Sequence, residues 1–529
     1  MPKMRKNKII QEIFPWHPDE ISPKNPAQLK NFFGGEWMGA KKNKTIINPL
    51  NGLPIILMPD NREDVELLEF TSRLGACPKY GLHNPLYNIE RYRIYGDISA
   101  RAARLLRDPD IRDYFAKLIN LVMPKGYDQT VGEVDVTASF LETFSGNNVR
   151  NLAKGVTTPG NHAGEQPINY RWPYGPVAII TPFNFPLEIM ALQLMGALYM
   201  GNKPILKQSS LTSIVAEAFV RLLLHCGMPK DDMLLIHCSG EVMEKLVTVG
   251  MPDPLIQLTQ FTGGSDTARR LLRLTEGRCK IEDAGFDWKI MGPLPQLEYD
   301  KYTDLLDQIA VVCDKDAYAA SGQKCSAQSI LFVHMADYDY LLPKLKELAA
   351  KRNLSDLSVG PVLTWNNQRI QAHIDRLLAI KGARLLFGGK PLSEKHSIPE
   401  CYGSYEPTAV YVPLEEILPH FNLVTTEVFG PVQVITIWKK KEDLDHILKL
   451  CELMKNHLTA GVVSNDLEFL NYVLGRTING TTYAGIRGRT TGAPEWHFFG
   501  PTGHPASAGI GTPEAIINTW SQNRTIIYD

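Results

Sequence analysis

Several things are missing from this sequence, and each absence narrows the reading. No run of about 18 apolar residues occurs, so no helix is predicted to cross a membrane. No sign of charge dominates: 56 Lys and Arg face 57 Asp and Glu, for a net charge of −1. That balance gives no electrostatic reason to expect nucleic acid as a partner. The eight cysteines (77, 226, 238, 279, 313, 325, 401 and 451) form no C-x-x-C pair and no Cys/His ligand spacing. A disulfide framework and a structural zinc site both lack support, and a reducing compartment with most cysteines buried as small apolar groups fits best. No metal site is predicted. There is no internal repeat and no G-x-G-x-x-G, so the ordinary dinucleotide fingerprint is absent too. The N-terminal MPKMRKNKIIQEIF is basic but has no secretory apolar region or cleavage site. It reads as a poor transit peptide, the remnant of one, or a plain arm.

What remains is a chain of 529 residues, long enough for about three domains. Residues 1–60 are rich in Pro, Asn and Lys and read as an extended arm with turns. Apolar residues then recur at helical spacing over about 62–122, which predicts a helical layer. From 174 strand and helix alternate five times with short links. The strands are YGPVAIIT, NKPILKQSS, DMLLIHC, LIQLTQFTG and CKIEDAG. This alternation predicts a parallel, doubly wound α/β sheet, in which ligands bind at the strand C-terminal ends. A second α/β block runs from about 303 to 480. A tail dense in Gly, Pro and Thr follows, closed by a late strand, NRTIIYD.

Four of the five strand ends, all but that of DMLLIHC, carry letters that are unusual beside a buried strand, taken here in chain order. Asn184 follows the first, as a turn residue or as an amide aimed at a developing oxyanion. Lys207 ends the second, as a snorkelling surface lysine or a contact to ribose or phosphate. Gly263 and Gly264 end the third, as a tight turn or a close approach of backbone N–H groups to a ligand. Glu282 and Asp283 end the fourth, as helix-capping carboxylates or a general base. Cys325, in SGQKCSAQS, is a nucleophile or a small buried side chain on its local letters alone.

Seven motifs in order, TPFNFP, KPILKQSS, FTGGS, IEDAG, GQKCSAQS, YEPTAV and TTEVFGPV, resemble the NAD(P)-dependent aldehyde dehydrogenase superfamily over nearly the whole chain. EDAGFDWKIMGP and TTGAPEWHFFGPTG are most similar to its plant-type 1-pyrroline-5-carboxylate (glutamate-γ-semialdehyde) dehydrogenase branch. The resemblance implies two doubly wound α/β domains plus a small β oligomerisation element. Its expected bounds are 1–147 and 173–302 for the NAD-binding domain with its arm, and 303–499 for the catalytic domain. The hairpin 148–172 and the tail 500–529 would serve oligomerisation and substrate anchoring, in a homodimer or larger homo-oligomer. It implies Cys325 as nucleophile, Asn184 with the Cys325 N–H as oxyanion site, and Glu282 as the base for thioester hydrolysis. NAD is the implied cofactor, contacted by Ile180, Thr181, Pro182, Phe183, Lys207, Ser210, Gly264, Ser265, Glu427 and Phe429. Ser210 stands where the family often has an acidic residue, which weakens electrostatic exclusion of NADP. Substrate contacts are expected from Ser326, Phe185 and the loop residues Ser507 and Ala508. The implied reaction is NAD-dependent oxidation of L-glutamate γ-semialdehyde to L-glutamate in proline breakdown, in the mitochondrial matrix or alternatively the cytoplasm. Competing readings are a dehydrogenase of another small semialdehyde and a non-catalytic NAD-binding scaffold.

Overall fold

The computed structural model describes residues 8–61, 64–283, 285–295, 297–494 and 496–529, with the side chains of 64–66 left aside. Residues 1–7, on which the transit-peptide reading mainly rests, lie outside the described residues.

The five strands expected from alternation lie side by side in one sheet. Its order is Cys279–Asp283, Leu258–Gly263, Pro176–Thr181, Lys203–Gln208, Leu234–Leu235, Asn31–Phe33, Glu36–Met38. The first five are parallel, and the last two join antiparallel. The N-terminal arm is therefore more ordered than its composition suggests. It contains the helix Lys8–Ile13 and contributes two strands, because Ile10, Ile13, Phe14 and Phe32 bury against the main core. Register aligns the strand ends that matter: Thr181 pairs with Gln208, and Thr262 with Glu282. Every residue of Pro176–Thr181 is buried, as is all of the helix Glu188–Tyr199 after its first residue. Both faces of this sheet are covered, which is why its strands read as continuous apolar runs.

A second seven-stranded sheet has the order Arg384–Phe387, Thr408–Tyr411, Val432–Trp438, Gln328–His334, Asp287–Met291, Thr459–Val463, Thr481–Ala484. Only Arg384–Phe387 runs antiparallel to its neighbour. Asp287–Met291 lies inside this sheet, between Gln328–His334 and Thr459–Val463, so the second sheet takes its first strand before residue 302. The segment DWKIM has only five residues and follows a strand after a short gap, so alternation alone did not separate it. Glu282 consequently ends an edge strand of one sheet while facing loops of the other. The long helix Tyr299–Tyr318 then leads into the Cys325 loop.

The tail strand Gln522–Tyr528 pairs antiparallel with Gln166–Trp172, which pairs with Val156–Thr157. This three-stranded sheet is mostly exposed, including Val156, Ile527 and Tyr528, and is distinct from the three-stranded sheet that Ala27–Gln28, Pro54–Pro59 and Asn43–Ile47 form in the N-terminal arm. Residues 146–153 form a 3-10 helix, so the hairpin itself begins later than 148.

Candidate active site

The turn after Pro176–Thr181 carries Asn184, which is 2% exposed. Its position is set by a buried ion pair. Lys125 Nζ donates to Glu133 Oε2 (2.7 Å) and to the Asn184 carbonyl (3.1 Å), with both charged side chains fully buried. Glu133 Oε1 accepts the N–H groups of Leu187 (2.7 Å) and Glu188 (3.2 Å), the first donors of the next helix. The same ammonium lies 4.2 Å from the centre of the Phe185 ring. One lysine and one glutamate thus satisfy a turn whose backbone would otherwise be buried unpaired. Asn184's own side-chain amide makes no hydrogen bond within the described residues, which leaves it free for a ligand.

Cys325 sits in a loop with unusual backbone. Ala320, Ser321 and Gly322 all have positive φ (54°, 55° and 70°). Side chains pin this conformation: Gly360 N donates to Ser321 Oγ (2.7 Å). Gln323 Nε2 donates to the carbonyls of Ala320 (3.2 Å) and Pro361 (2.9 Å), and Leu363 N donates to Gln323 Oε1 (2.7 Å). Gly285 packs so closely that a Cβ there would lie 1.9 Å from the Cys325 carbonyl oxygen, and its N–H donates to Glu427 Oε1 (3.1 Å).

The thiol faces the Glu282 carboxyl group. Burial raises the Glu282 pKa to about 7, against a lowering contact from Cys325. Burial and then the neighbouring carboxylates Glu282, Asp287 and Glu427 push the Cys325 thiol well up. Glu282 Oε1 is buried without a hydrogen-bond partner among the described residues. A neutral thiol beside a carboxyl group poised near neutrality is an arrangement for proton transfer. Asp283 points elsewhere: it engages the Ser265 hydroxyl and lies in a separate pocket with Arg269 and His504.

A cavity of about 630 Å³ opens on the thiol. Cys325, Glu282, Ser326, Phe185, Phe499 and Ala508 line it, and Phe183 and Ser507 do not. Phe183 instead meets Phe429 edge-on, with ring centres 5.8 Å apart. The expected anchor loop therefore shifts. Ser507 N donates to the His504 carbonyl (3.0 Å) and Ala508 N to the Ile281 carbonyl (2.9 Å). Neither N–H is available to a ligand, because the loop extends the sheet edge there, and the next residue, Gly509, lines the cavity. Ser326 Oγ lies 3.5 Å from Thr491 Oγ1, which also accepts from Lys324 Nζ (2.9 Å). Burial lowers the Lys324 pKa to about 8. Behind them, Asp316 accepts from Lys289 Nζ (2.7 Å) and from Thr490 N (2.8 Å).

Most of the cofactor residues expected from the motifs lie at or just beyond strand ends of the first sheet. Ile180 and Thr181 end their strand beside Lys207 and Gln208. Gln208 accepts from the Thr181 hydroxyl and donates to the Pro182 carbonyl (2.8 Å), clamping that turn. Burial lowers the pKa of Lys207, which has no hydrogen-bond partner among the described residues. Ser210 follows two residues after Gln208, its carbonyl accepting from Ser213 Oγ (3.3 Å). Gly264 caps the helix Ser265–Leu274, and a Cβ there would meet nothing within 4 Å. Gly240, at the start of the helix Gly240–Val247, is equally open. Two open helix N-termini and an unpaired lysine suit a dinucleotide's phosphates and ribose. The Ser265 hydroxyl is taken by Asp283, so backbone N–H groups are left to meet phosphate. Sequence reasoning missed Lys125, Glu133, Asp316, Lys289, Gln323 and Thr491. None lies in a strand-end motif, and each acts through a partner distant in sequence.

Comparison with known proteins decides the family. The aldehyde dehydrogenase family model matches residues 95–504.

The chain belongs to the aldehyde dehydrogenase family.

It is 52% identical over 515 residues to the mitochondrial delta-1-pyrroline-5-carboxylate dehydrogenase 12A1 of Arabidopsis thaliana, covering 97% of this chain and 90% of that one. It is equally 52% identical, over 514 residues, to a probable aldehyde dehydrogenase of Linum usitatissimum, covering 97% and 91%. An NAD-dependent aldehyde dehydrogenase of Sinorhizobium meliloti shares the fold, with a TM-score of 0.80 at 19% identity over 96% of this chain and 95% of that one. No described helix of this family member is long and apolar enough to cross a membrane.

Proposed function

We propose that this chain oxidises L-glutamate γ-semialdehyde, the open form of 1-pyrroline-5-carboxylate, to L-glutamate with NAD in proline catabolism. The observation that carries the chemistry is the Cys325 thiol facing Glu282 at the base of a cavity beside the Asn184 turn. The 52% identity to the Arabidopsis enzyme supports the substrate.

Glu282 takes the thiol proton as the Cys325 sulfur bonds to the aldehyde carbon. The Asn184 amide and the Cys325 N–H hold the resulting oxyanion, which lowers the barrier because both donors are in place beforehand. Bound NAD supplies the hydride acceptor that turns this thiohemiacetal into a thioester. Glu282, having lost its proton to water, then deprotonates a second water for attack on the thioester carbon. The C–S bond breaks, glutamate leaves and the thiol is restored.

Ile180, Thr181, Pro182 and Phe183 would line the NAD cleft, with Lys207 and Ser210 at the adenosine ribose. Backbone N–H groups at Gly264 and Ser265 would meet phosphate, and Glu427 and Phe429 the nicotinamide ribose and ring. Ser326, with Thr491 and Lys324 behind it, suits the substrate's α-carboxylate. The first sheet serves as the cofactor domain and the second as the catalytic domain. The exposed three-stranded sheet serves pairing in a homodimer or larger assembly, since Val156, Ile527 and Tyr528 leave apolar surface at a sheet edge. The mitochondrial relative supports the matrix as its location.

The test is NADH formation with L-glutamate γ-semialdehyde, succinic semialdehyde and propanal, with NADP in place of NAD as a further arm. Preference for the glutamate aldehyde, lost in Cys325→Ala, is the expected outcome. Equal rates on all aldehydes would leave the Cys325 chemistry and remove the substrate assignment.

A further inference from the structure

The proposed reaction leaves one half-buried carboxylate in the cavity wall without a task. Glu188 is the first residue of the helix Glu188–Tyr199, and its side chain lines the same cavity as Cys325 and Ser326. Its backbone N–H is satisfied by Glu133, but its carboxylate has no hydrogen bond or ion pair among the described residues. The nearest buried cation is already committed, since Lys125 is bonded to Glu133 and to the Asn184 carbonyl. The other ionisable neighbours are Glu133 itself and Tyr483, whose ring carries Arg489 4.7 Å from its centre. Asp128 and Lys315 stand in the cavity wall and are exposed. Burial and then Glu133 raise the Glu188 pKa to about 8.

A carboxylate that is partly desolvated and has no partner carries a cost, which a ligand cation removes. The rest of the cavity offers what an anion needs: the Ser326 hydroxyl, Thr491 and the Lys324 ammonium. An α-amino acid carries both charges on one carbon, three bonds from the aldehyde carbon in the proposed substrate. We infer that Glu188 receives the α-ammonium group of the substrate and, by repelling a lone carboxylate, rejects semialdehydes that lack one. This rests on the glutamate-semialdehyde reading and adds the residue that makes the choice.

The experiment compares kcat/KM for L-glutamate γ-semialdehyde and succinic semialdehyde, at saturating NAD, in the wild type and Glu188→Gln. Their ratio should fall by at least roughly tenfold in the variant, the scale expected when a site built for a polar group loses its partner. The loss should appear in KM for the glutamate aldehyde, while succinic semialdehyde turnover rises. An unchanged ratio in a variant that melts normally overturns the role of Glu188 alone. A wild type without preference removes the substrate reading beneath it. Should the variant not fold, inhibition of the wild type by L-glutamate and by glutarate decides. Glutamate should bind more tightly, with an advantage that grows as pH rises through about 8 and Glu188 ionises. Equal inhibition throughout overturns the inference.

Discussion

Two buried lysine–carboxylate pairs support the walls of this cavity, and they do so in different ways. Lys125–Glu133 grips the Asn184 turn directly, through one carbonyl and two N–H groups. Lys289–Asp316 grips the segment at Thr490 and Thr491, which then meets Lys324 and Ser326. The first pair touches the residue that would stabilise the oxyanion. The second reaches the substrate anchor through an intermediate layer. Buried ion pairs contribute little net stability because desolvation offsets attraction, yet breaking one is expensive. Their use here is positional: each carboxylate fixes two adjacent backbone groups that no helix or sheet satisfies.

If that contrast is right, Lys125→Met should have the largest effect. It strands Glu133 with only backbone donors, and a loss of about 3–5 kcal/mol is expected from breaking a buried pair. Thermal denaturation would read the loss, and kcat should fall with it because the Asn184 carbonyl is released. Adding Glu133→Gln should recover part of the stability and none of the kcat. Recovery of both would mean that the pair is merely structural.

Asp316→Asn comes next. Lys289 can respond to the loss by shedding its proton, so the cost should be smaller, about 2–3 kcal/mol. The effect should fall on KM for the aldehyde rather than on kcat. A kcat defect equal to that of Lys125→Met would erase the distinction between the two pairs. Gln323→Ala removes neutral support instead, leaving the Leu363 N–H unpaired. About 1–3 kcal/mol is expected from one stranded buried donor.

The smallest effect, and the sharpest discriminator, is the pH profile. As the proposed base, Glu282 acts when deprotonated, so kcat/KM should rise with pH through about 7. Neither ion pair is among the groups that shift Glu282, so Lys125→Met and Asp316→Asn should lower activity without moving that limb. Glu282→Gln should abolish it.

Much of the first sheet was readable because its strands are buried on both faces, and continuous β-branched runs alternating with amphipathic helices have few other solutions. The proposed site residues share one local signature. Asn184, Lys207, Gly264 and Glu282 all stand at or just beyond the C-terminal end of a strand, where a doubly wound sheet presents its ligands. The arm was less legible, since short strands such as Asn31–Phe33 exist only because a sheet edge is there to receive them. The roles expected of Ser507 and Ala508 were not legible, because the Ser507 N–H is used by the His504 carbonyl and the Ala508 N–H by Ile281, and Ser507 does not line the cavity.

The sequence by itself determined the alternation of strand and helix, the polar strand ends and the motif on which Cys325 is proposed as nucleophile. Local periodicity and short-range motifs encode all of these. Only the tertiary structure decided what holds and selects. Lys125 and Glu133 stand eight residues apart and look like ordinary polar positions, yet both are fully buried beneath Asn184. Lys289 meets Asp316, and Asp316 meets Thr490, across separations that no periodic pattern records. Whether a charged residue is a solvated face or a buried clamp depends on the surface that closes over it, and that surface comes from distant parts of the chain.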